Sequence, residues 1–271
     1  LSGGPAAADD LLPPPLQPGT VIADGQIDKA ITAVDGIASD ILARSGLPGM
    51  AVVVVRDGKT VFARGYGVRK TGEDAKVDPD TVFQLASLSK SISATVVAHA
   101  VGEGLVDWDT PLVEHLPWFK LSDPYVTSHV TVGDMFAHRS GLPAHAGDEL
   151  EDIGYDRREV LERLRLMPLH SFRNVSAYTN FGFTAGAEAV AAAAGTDWET
   201  LAETTIFKPL GMTSSSYRLD DFVNRENRAF GHVKTDVTWQ PKLPRQPVPP
   251  APAGGVSASV NHLGQRLAWP C

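Results

Sequence analysis

Ser87 and Lys90 are the residues of this 271-residue chain whose types and spacing could do covalent chemistry. A serine hydroxyl becomes an effective nucleophile only when a base accepts its proton. Residues three apart lie on one face of a helix, so the Lys90 amine would reach the Ser87 hydroxyl. The first turn of that helix would also stabilise negative charge beside Ser87. This pair therefore suits acyl transfer, in which an oxyanion must be stabilised.

The same pattern also has a simpler interpretation. Roughly one Ser-x-x-Lys match arises by chance in a chain of this size. Residues 87–90 alone are more typical of a helix start with a solvated lysine. Lys90 could act as a base only while it is neutral, which burial would favour.

Tyr178 and Asn180 form a second candidate pair, in the stretch SAYTNFGF. A phenol held beside an ammonium group gives up its proton more readily, so Tyr178 could take part in proton transfer. Asn180 could orient both the lysine and a substrate carbonyl. A buried tyrosine that caps the following helix explains the same residues equally well. The turn His138–Pro143, with the sequence HRSGLP, could line one wall of a site.

The elements around these residues can be predicted from periodicity and turn signals. Apolar residues at helical spacing predict a helix over 26–44, and the Asp57-Gly58 pair predicts a hairpin between two strands of MAVVVVRDGKTVFARGYG. A helix should follow from about Ser87 to Gly104. Further helices are predicted after Asp109-Thr110-Pro111, after a capping box at Thr131–Asp134, over 157–166 and 181–195, and from Asp197 to about Phe207.

The predicted organisation has four parts and ends in a proline-rich stretch. Residues 1–25 read as a flexible segment rich in Pro and Ala, 26–86 as the first part of an α/β domain, and 87–212 as a mostly helical domain. Residues 213–271 read as a return segment, and the prolines at 241–252 predict a long surface excursion within it.

Composition excludes several classes of function. The net charge of −8 and the pI near 5.4 argue against a nucleic-acid partner. No apolar run approaches the roughly 20 residues that span a bilayer. The single cysteine, Cys271, allows neither an internal disulfide nor a cysteine metal cluster, and no cofactor is expected.

Five stretches in order resemble one family: FQLASLSKSISA, HRSGLP, YTNFGF, FKPLGM and AGGVSAS. The chain is similar over about residues 26–262 to the serine β-lactamase and penicillin-binding-protein superfamily, in its class C branch with the family VIII carboxylesterases. The resemblance implies an antiparallel sheet flanked by helices plus a mostly helical domain. It implies Ser87 as the nucleophile, Lys90 and Tyr178 as the proton-transfer residues, and Asn180 as a ligand of lysine and substrate. Which of Lys90 and Tyr178 is the base stays open, as it does for related enzymes.

The chain departs from the family pattern in its third motif. Lys-Thr-Gly or His-x-Gly should follow Tyr178 on a strand that supplies the second oxyanion donor. Lys70-Thr71-Gly72 matches in letters but precedes Ser87 and reads as a turn, and Lys234-Thr235 is followed by Asp236. We therefore expect a chain that stops before the last strands of the sheet. Its open edge would be covered by a second copy, a companion fragment or a fold-back of 213–271, and the rate would be reduced.

His145 bears on the substrate. The resemblance places it where class C β-lactamases carry a glutamine that holds the amide side chain of β-lactams, although an ordinary surface histidine is the simpler interpretation. We accordingly predict a serine hydrolase that forms an acyl-enzyme on Ser87 and acts on short-chain esters. The alternatives are a β-lactam or D-amino-acid peptide hydrolase and an inactive binding or self-associating homologue. Relatives are often exported, which favours a periplasmic or secreted protein over a cytoplasmic one.

Overall fold

The structure is a computed structural model that describes residues 22–236, 238–242 and 244–269. The predicted flexible segment 1–25 falls almost wholly outside the described residues, and so does Cys271. The four-part organisation therefore stays a prediction.

An antiparallel hairpin is the largest strand pair. Helix α1 (Gln26–Ser45) precedes it, and strands β1 (Gly49–Arg56) and β2 (Lys59–Gly67) pair in register from Gly49↔Gly67 to Arg56↔Lys59, with a bulge after Val54. The connecting Asp57 and Gly58 both have positive φ (51° and 70°), as the tightest hairpin turns require. The predicted helix and hairpin are both confirmed.

Most of the remaining chain is a helical body, defined here as residues 86–207. Several of its helices begin at a residue whose side chain caps the first turn. Thr131 and Asp134 form the predicted capping box, and Asp197 caps the helix after it as expected. Its helices are α2 (Ser89–Gly102), α3 (Leu112–His115), α4 (Pro124–His129), α5 (Val132–Phe136), α6 (Asp148–Asp152), α7 (Arg157–Arg163), α8 (Asn180–Ala193) and α9 (Trp198–Ala202), continued by a π turn over Glu203–Phe207.

One predicted helix start was wrong in detail. Helix α3 begins at Leu112, and Pro111 stands before the helix in an extended conformation with ψ 137°. Pro111 instead forms a bridge with Thr131, and the Asp109 N–H donates to the Asp107 carboxylate. The Asp-Thr-Pro sequence is therefore used for a turn rather than for a cap.

Helix α8 lies at the centre of the helical body. Ten of its residues are buried, most of them Ala, Gly or Phe, and it packs against α2, α3, α5, α7 and α9. Small side chains allow this close approach: a Cβ on Gly186 would lie 3.0 Å from the Cβ of Met135. A continuous core therefore surrounds the helix whose first turn carries Asn180.

The last elements of the described chain pack against the first ones. After helix α10 (Leu219–Val223), strands β4 (Gly231–Thr235) and β5 (Thr238–Lys242) form a second hairpin. Helix α11 (Ala251–Gly254) leads to β6 (Ser257–Ala258), which pairs antiparallel with β3 (Phe83–Gln84) just before Ser87. Helix α12 (Val260–Ala268) then packs across β1 and β2. A Cβ on Gly264 would meet Thr60 Oγ1 at 2.8 Å, so the helix and the hairpin touch closely.

The predicted fold class is confirmed, since helices combine with antiparallel strands. In the described residues, β1 pairs with β2 alone, so its other edge carries no strand. Helix α12 covers a face of the hairpin and leaves that edge open. Within the same residues, no helix has the length and apolar character needed to cross a membrane.

Candidate active site

Ser87 occupies a tight turn between a strand and a helix. A 3₁₀ turn over Ala86–Leu88 follows β3 and runs directly into α2. Ala86 has a φ of 46°, which is strained for a residue with a side chain and is a feature that clusters at functional sites. The surrounding backbone is fixed, because Leu85 N–H donates to Val256 O and Val256 N–H donates to Ser89 Oγ. The turn leaves Ser87 exposed to solvent.

The structure brings Ser87, Lys90 and Tyr178 together. Ser87 Oγ lies 2.6 Å from the Tyr178 hydroxyl and 3.4 Å from Lys90 Nζ. Lys90 Nζ also lies 4.6 Å from the centre of the Tyr178 ring. The side chains of Ser87, Tyr178 and Lys90 are therefore close enough to exchange a proton.

Lys90 is held by two short hydrogen bonds. Its Nζ donates to Asn180 Oδ1 at 2.8 Å and to the carbonyl of Ala253 at 2.9 Å. Burial lowers the pKa of the Lys90 ammonium below its ordinary value, and the positive charge of Arg245 adds to this, while Tyr178 and Asp148 oppose it. A neutral amine has two N–H groups, and these two acceptors would satisfy both. Its lone pair would then be left for the hydroxyl groups of Ser87 and Tyr178.

Tyr178 is positioned by the turn that the sequence singled out. The imidazole of His138 lies 4.8 Å from the Tyr178 ring, and His138 Nδ1 accepts a hydrogen bond from Thr179 N–H at 3.3 Å. Burial, together with the charge of Lys90, lowers the pKa of His138. The neutral imidazole can therefore serve as the acceptor for that N–H. Through His138, the HRSGLP turn thus lies against the tyrosine.

His145 and Asp148 complete the arrangement on the other side of Tyr178. The backbone N–H of His145 donates to Tyr178 O at 2.8 Å, and its ring lies 5.8 Å from the tyrosine ring. His145 Nδ1 lies 3.0 Å from Asp148 Oδ2, although 66% of the histidine side chain is exposed. The structure thus brings His145 beside Tyr178.

Sequence reasoning missed Asp148. Both of its carboxylate oxygens accept from Asn180 Nδ2, at 3.2 and 3.1 Å. Because the Asp148 carboxylate can only accept, Asn180 must turn its Nδ2 toward it, which leaves Oδ1 toward Lys90. An acidic residue at the start of a short helix, seven residues after Gly141, was the available signal, but nothing local links it to Asn180.

A narrow cleft opens beside Ser87. Its second wall is the proline segment, defined here as residues 244–250, which the sequence predicted to be a surface excursion. The segment is irregular and mostly half-buried or exposed, as predicted. Its backbone is nevertheless held in place: Gln84 Nε2 donates to Arg245 O at 2.8 Å, and Arg157 donates to Val248 O and Pro249 O. The lining residues are Gln84, Ala86, Ser87, Asn180, Arg245, Pro247, Pro250 and Gly254.

Neither candidate for the third motif reaches this cleft. Lys70-Thr71-Gly72 forms the predicted turn after β2, where Gly72 has a φ of 86° and Thr71 N–H donates to His232 Nε2. Lys234 and Thr235 lie on β4, with Lys234 near the Trp239 ring. None of the described residues that line the cleft belongs to a Lys-Thr-Gly or His-x-Gly sequence. In the described ranges, no cluster of His, Cys, Asp and Glu has the geometry of a metal site.

Comparison with known proteins agrees with the motifs. The family model described as Beta-lactamase matches residues 34–267. An unguisins hydrolase of Aspergillus campestris is 27% identical over 247 residues, which cover 86% of this chain and 45% of that protein. The D-alanyl-D-alanine-carboxypeptidase/endopeptidase AmpH of Escherichia coli is 29% identical over 191 residues, covering 68% of this chain and 49% of that protein.

Solved structures share the fold. An octameric penicillin-binding protein homologue from Pyrococcus abyssi has a TM-score of 0.75 at 22% identity, covering 88% of this chain and 55% of that one. A class C β-lactamase has a TM-score of 0.75 at 23% identity, covering 91% of this chain and 66% of that one. The chain thus spans about half the length of the curated relatives it matches.

Proposed function

Because the chain belongs to the β-lactamase family of serine hydrolases, we propose that it hydrolyses short-chain carboxylic esters through an acyl-enzyme on Ser87. The observation that carries the proposal is the contact of 2.6 Å between Ser87 Oγ and the Tyr178 hydroxyl, with Lys90 Nζ at 3.4 Å. A nucleophile within hydrogen-bond reach of its proton acceptor is what covalent catalysis requires.

The proton leaves Ser87 in the direction of Lys90. Ser87 Oγ attacks the ester carbonyl while its proton passes to the Tyr178 oxygen, and the tyrosine proton passes to the neutral Lys90 amine. Lys90 suits this role because burial lowers its pKa and its two short hydrogen bonds leave its lone pair available to the Tyr178 and Ser87 hydroxyls. The proton then returns along the same route to the departing alkoxide. Water repeats the sequence on the acyl-enzyme and releases the acid.

Asn180 and Asp148 act on this reaction by positioning. Asn180 bridges the Lys90 cation and the Asp148 carboxylate, with its oxygen toward the lysine and its nitrogen toward the aspartate. This bridge fixes Lys90 Nζ beside Ser87. His145 is a substrate-contacting residue in this proposal, since it lies exposed beside Tyr178.

Hydrolysis of β-lactams or of peptides with D-amino acids is the second candidate. It is supported by the similarity to AmpH, a D-alanyl-D-alanine-carboxypeptidase/endopeptidase, and to a hydrolase of unguisins. His145 favours esters instead, because it stands where class C β-lactamases carry their amide-binding glutamine. A binding or self-associating module without turnover is the third candidate.

The rate of this chain by itself should be low. None of the described residues that line the cleft belongs to the third motif, and removal of one oxyanion donor typically costs on the order of 10²–10³-fold in rate. The unpaired edge of β1 supports coverage by a second copy or a companion fragment, because open strand edges recruit partners. The octameric state described for the Pyrococcus abyssi homologue supports self-association. The periplasmic or secreted location stays a prediction.

Mass spectrometry of the intact protein tests the nucleophile and the substrate class together. After incubation with a para-nitrophenyl ester, the protein should gain one acyl mass, and Ser87→Ala should remove both the adduct and hydrolysis, a loss of at least about 10³-fold. Ser91→Ala is the matched control, because Ser91 lies on the same helix and donates to Leu88 O; it should behave as wild type.

Three outcomes distinguish the candidates. An adduct with a β-lactam but none with the ester would replace the leading proposal by the second. A folded oligomer that gains no mass from either reagent would support the binding module. Full ester hydrolysis in Ser87→Ala would refute the role of Ser87.

A further inference from the structure

Arg245 is a cationic side chain in the wall of the catalytic cleft that the proposed ester hydrolysis does not use. It lines the same cleft as Ser87 and Asn180. Its charge also reaches the catalytic lysine, since it contributes to the lowered pKa of Lys90. We propose that Arg245 forms a subsite for a carboxylate on the substrate, so that the preferred esters or amides are acidic ones. This inference rests on the proposed function.

The backbone of Arg245 is held in place. Its carbonyl oxygen accepts from Gln84 Nε2 at 2.8 Å, and Gln84 is the last residue of β3, three positions before Ser87. Farther along the proline segment, Arg157 Nε donates to Pro249 O at 2.8 Å. Four prolines between 244 and 250 further restrict the backbone. The segment therefore presents its arginine from a fixed position relative to the nucleophile.

Arg157 is itself firmly anchored. It donates to Glu188 and to Glu199, each at 2.6 Å, and the charges of both raise its pKa despite burial. A paired and buried arginine of this kind keeps its geometry, because breaking either pair would leave a buried charge alone. Through Arg157, the proline segment that carries Arg245 is thus bound to the helical body.

Most N–H donors of the Arg245 guanidinium group have no acceptor among the described residues. The side chain is 66% exposed, and among the described residues it is given one contact, to Glu151 Oε2 at 3.4 Å. A guanidinium group carries five N–H donors in a planar fork. One long contact leaves the rest of the fork free for a ligand.

Glu151 orients Arg245 from the side away from solvent. The Glu151 side chain is only 8% exposed, and burial raises its pKa, with the charges of Asp148 and Asp152 adding to that effect. This nearly buried carboxylate accepts one hydrogen bond of 3.4 Å from Arg245 Nη2 and so restrains one edge of the guanidinium group. The exposed edge then faces the solvent side of the cleft.

The geometry favours a carboxylate over other anions. A planar carboxylate matches the guanidinium fork with two parallel hydrogen bonds, and such charge-assisted pairs are about twice as strong as neutral ones. The other cation near Ser87, Lys90, is already bonded to Asn180 and Ala253. A singly charged group therefore fits the one available cation better than a phosphate would.

Two matched pairs of esters test the subsite and locate the carboxylate. On the acyl side, para-nitrophenyl hydrogen adipate is compared with its methyl ester. On the leaving-group side, para-acetoxybenzoate is compared with its methyl ester. For wild type, kcat/KM should favour the acid over its methyl ester by about 10-fold to 100-fold in one of the two pairs. Each ratio is taken within one variant, so changes common to both substrates cancel.

In the pair where wild type prefers the acid, Arg245→Gln should bring the ratio of kcat/KM for the acid to kcat/KM for its methyl ester to about one. Arg245→Lys should keep part of the preference, because lysine retains the charge but not the planar fork. Arg165→Gln is the control, since Arg165 is an exposed arginine outside the cleft lining; it should keep the wild-type ratio. Ratios near one in both pairs for wild type, or a preference that survives in Arg245→Gln, would overturn the proposal.

A binding measurement separates this inference from the proposed hydrolysis. In Ser87→Ala, calorimetry should show at least about tenfold tighter binding of the preferred acid than of its methyl ester, and the added Arg245→Gln change should abolish the difference. This result can be obtained even when the wild-type chain turns over neither substrate. Equal binding of acid and methyl ester would refute the subsite whatever the catalytic outcome.

Discussion

The helical body and the β1–β2 hairpin differ in how completely they are packed. Among the largest fully buried side chains are Trp198, Phe119 and Phe181, all in the helical body. All eight residues of β1 are only half-buried, although four consecutive valines make it strongly apolar. Ala38 is the one buried residue of α1, while Ile27 and Ile41 on its predicted apolar face remain exposed.

The proposed catalytic residues lie in the more completely packed of these two regions. Ser87, Lys90, Tyr178 and Asn180 all belong to the well-packed part, where α2 and α8 meet. The hairpin contributes none of the residues that line the cleft. Preorganised hydrogen bonds need rigid support, so the helical body can hold the catalytic groups even while one edge of the hairpin is open.

The largest expected effect comes from a substitution in the helical body and is on the rate of ester hydrolysis. Lys90→Met should lower the rate of ester hydrolysis by about 10²–10⁴-fold, because it removes the proton acceptor and leaves Asn180 Oδ1 and Ala253 O without their donor. Steady-state kinetics with a para-nitrophenyl ester would measure this. Circular dichroism controls for folding, and a folded variant with more than half of the wild-type rate would contradict the assignment.

A pair of core truncations should sharpen the contrast between the two regions. Phe181→Ala should lower the free energy of unfolding by about 3–5 kcal/mol, because it leaves a cavity in a closed core. Val54→Ala, in the half-buried β1, should cost only about 1 kcal/mol. Denaturant titration of both variants would check this, and equal costs would show that the hairpin is covered in solution.

Amide hydrogen exchange compares the two regions without any substitution. Amides of α8 should exchange on the order of tenfold or more slowly than those of β1, because local opening is easier where few apolar contacts hold the backbone. Exchange of proteolytic peptides, followed by mass spectrometry, would measure this. Dilution of the sample provides the control: protection of β1 that falls with dilution would reveal a partner at its open edge.

The smallest expected effect probes the charge behind Asn180. The negative charge of Asp148 raises the pKa of Lys90, so Asp148→Asn should lower that pKa further. Since the proposed mechanism uses the neutral amine, the acid limb of the pH–rate profile should move to lower pH. The new amide oxygen can still accept from Asn180 Nδ2, which keeps the geometry. A limb that stays in place, or moves to higher pH, would contradict the electrostatic role of Asp148.

The local parts of this structure follow from local sequence rules. The Asp57-Gly58 pair fixed the hairpin, Thr131 and Asp134 formed their capping box, and helical spacing placed Ser87 and Lys90 on one side of the same turn. Each of these depends on residues within a few positions of one another. The order of five motifs identified the family, and the family model agrees.

Tertiary structure alone decided how the catalytic lysine is surrounded. Lys90 meets Asn180 across 90 residues and the Ala253 carbonyl across 163, and burial at that meeting point lowers its pKa. Asp148 and Arg245 joined the site in the same way, and the proline segment became a wall of the cleft because Gln84 and Arg157 bind its carbonyls. Contacts over such separations depend on how whole elements pack, and a backbone carbonyl acceptor leaves no mark in the residue types. The sequence by itself therefore predicted the nucleophile and its nearest partners, while packing set the direction of the Lys90 pKa shift and the shape of the cleft in front of Ser87.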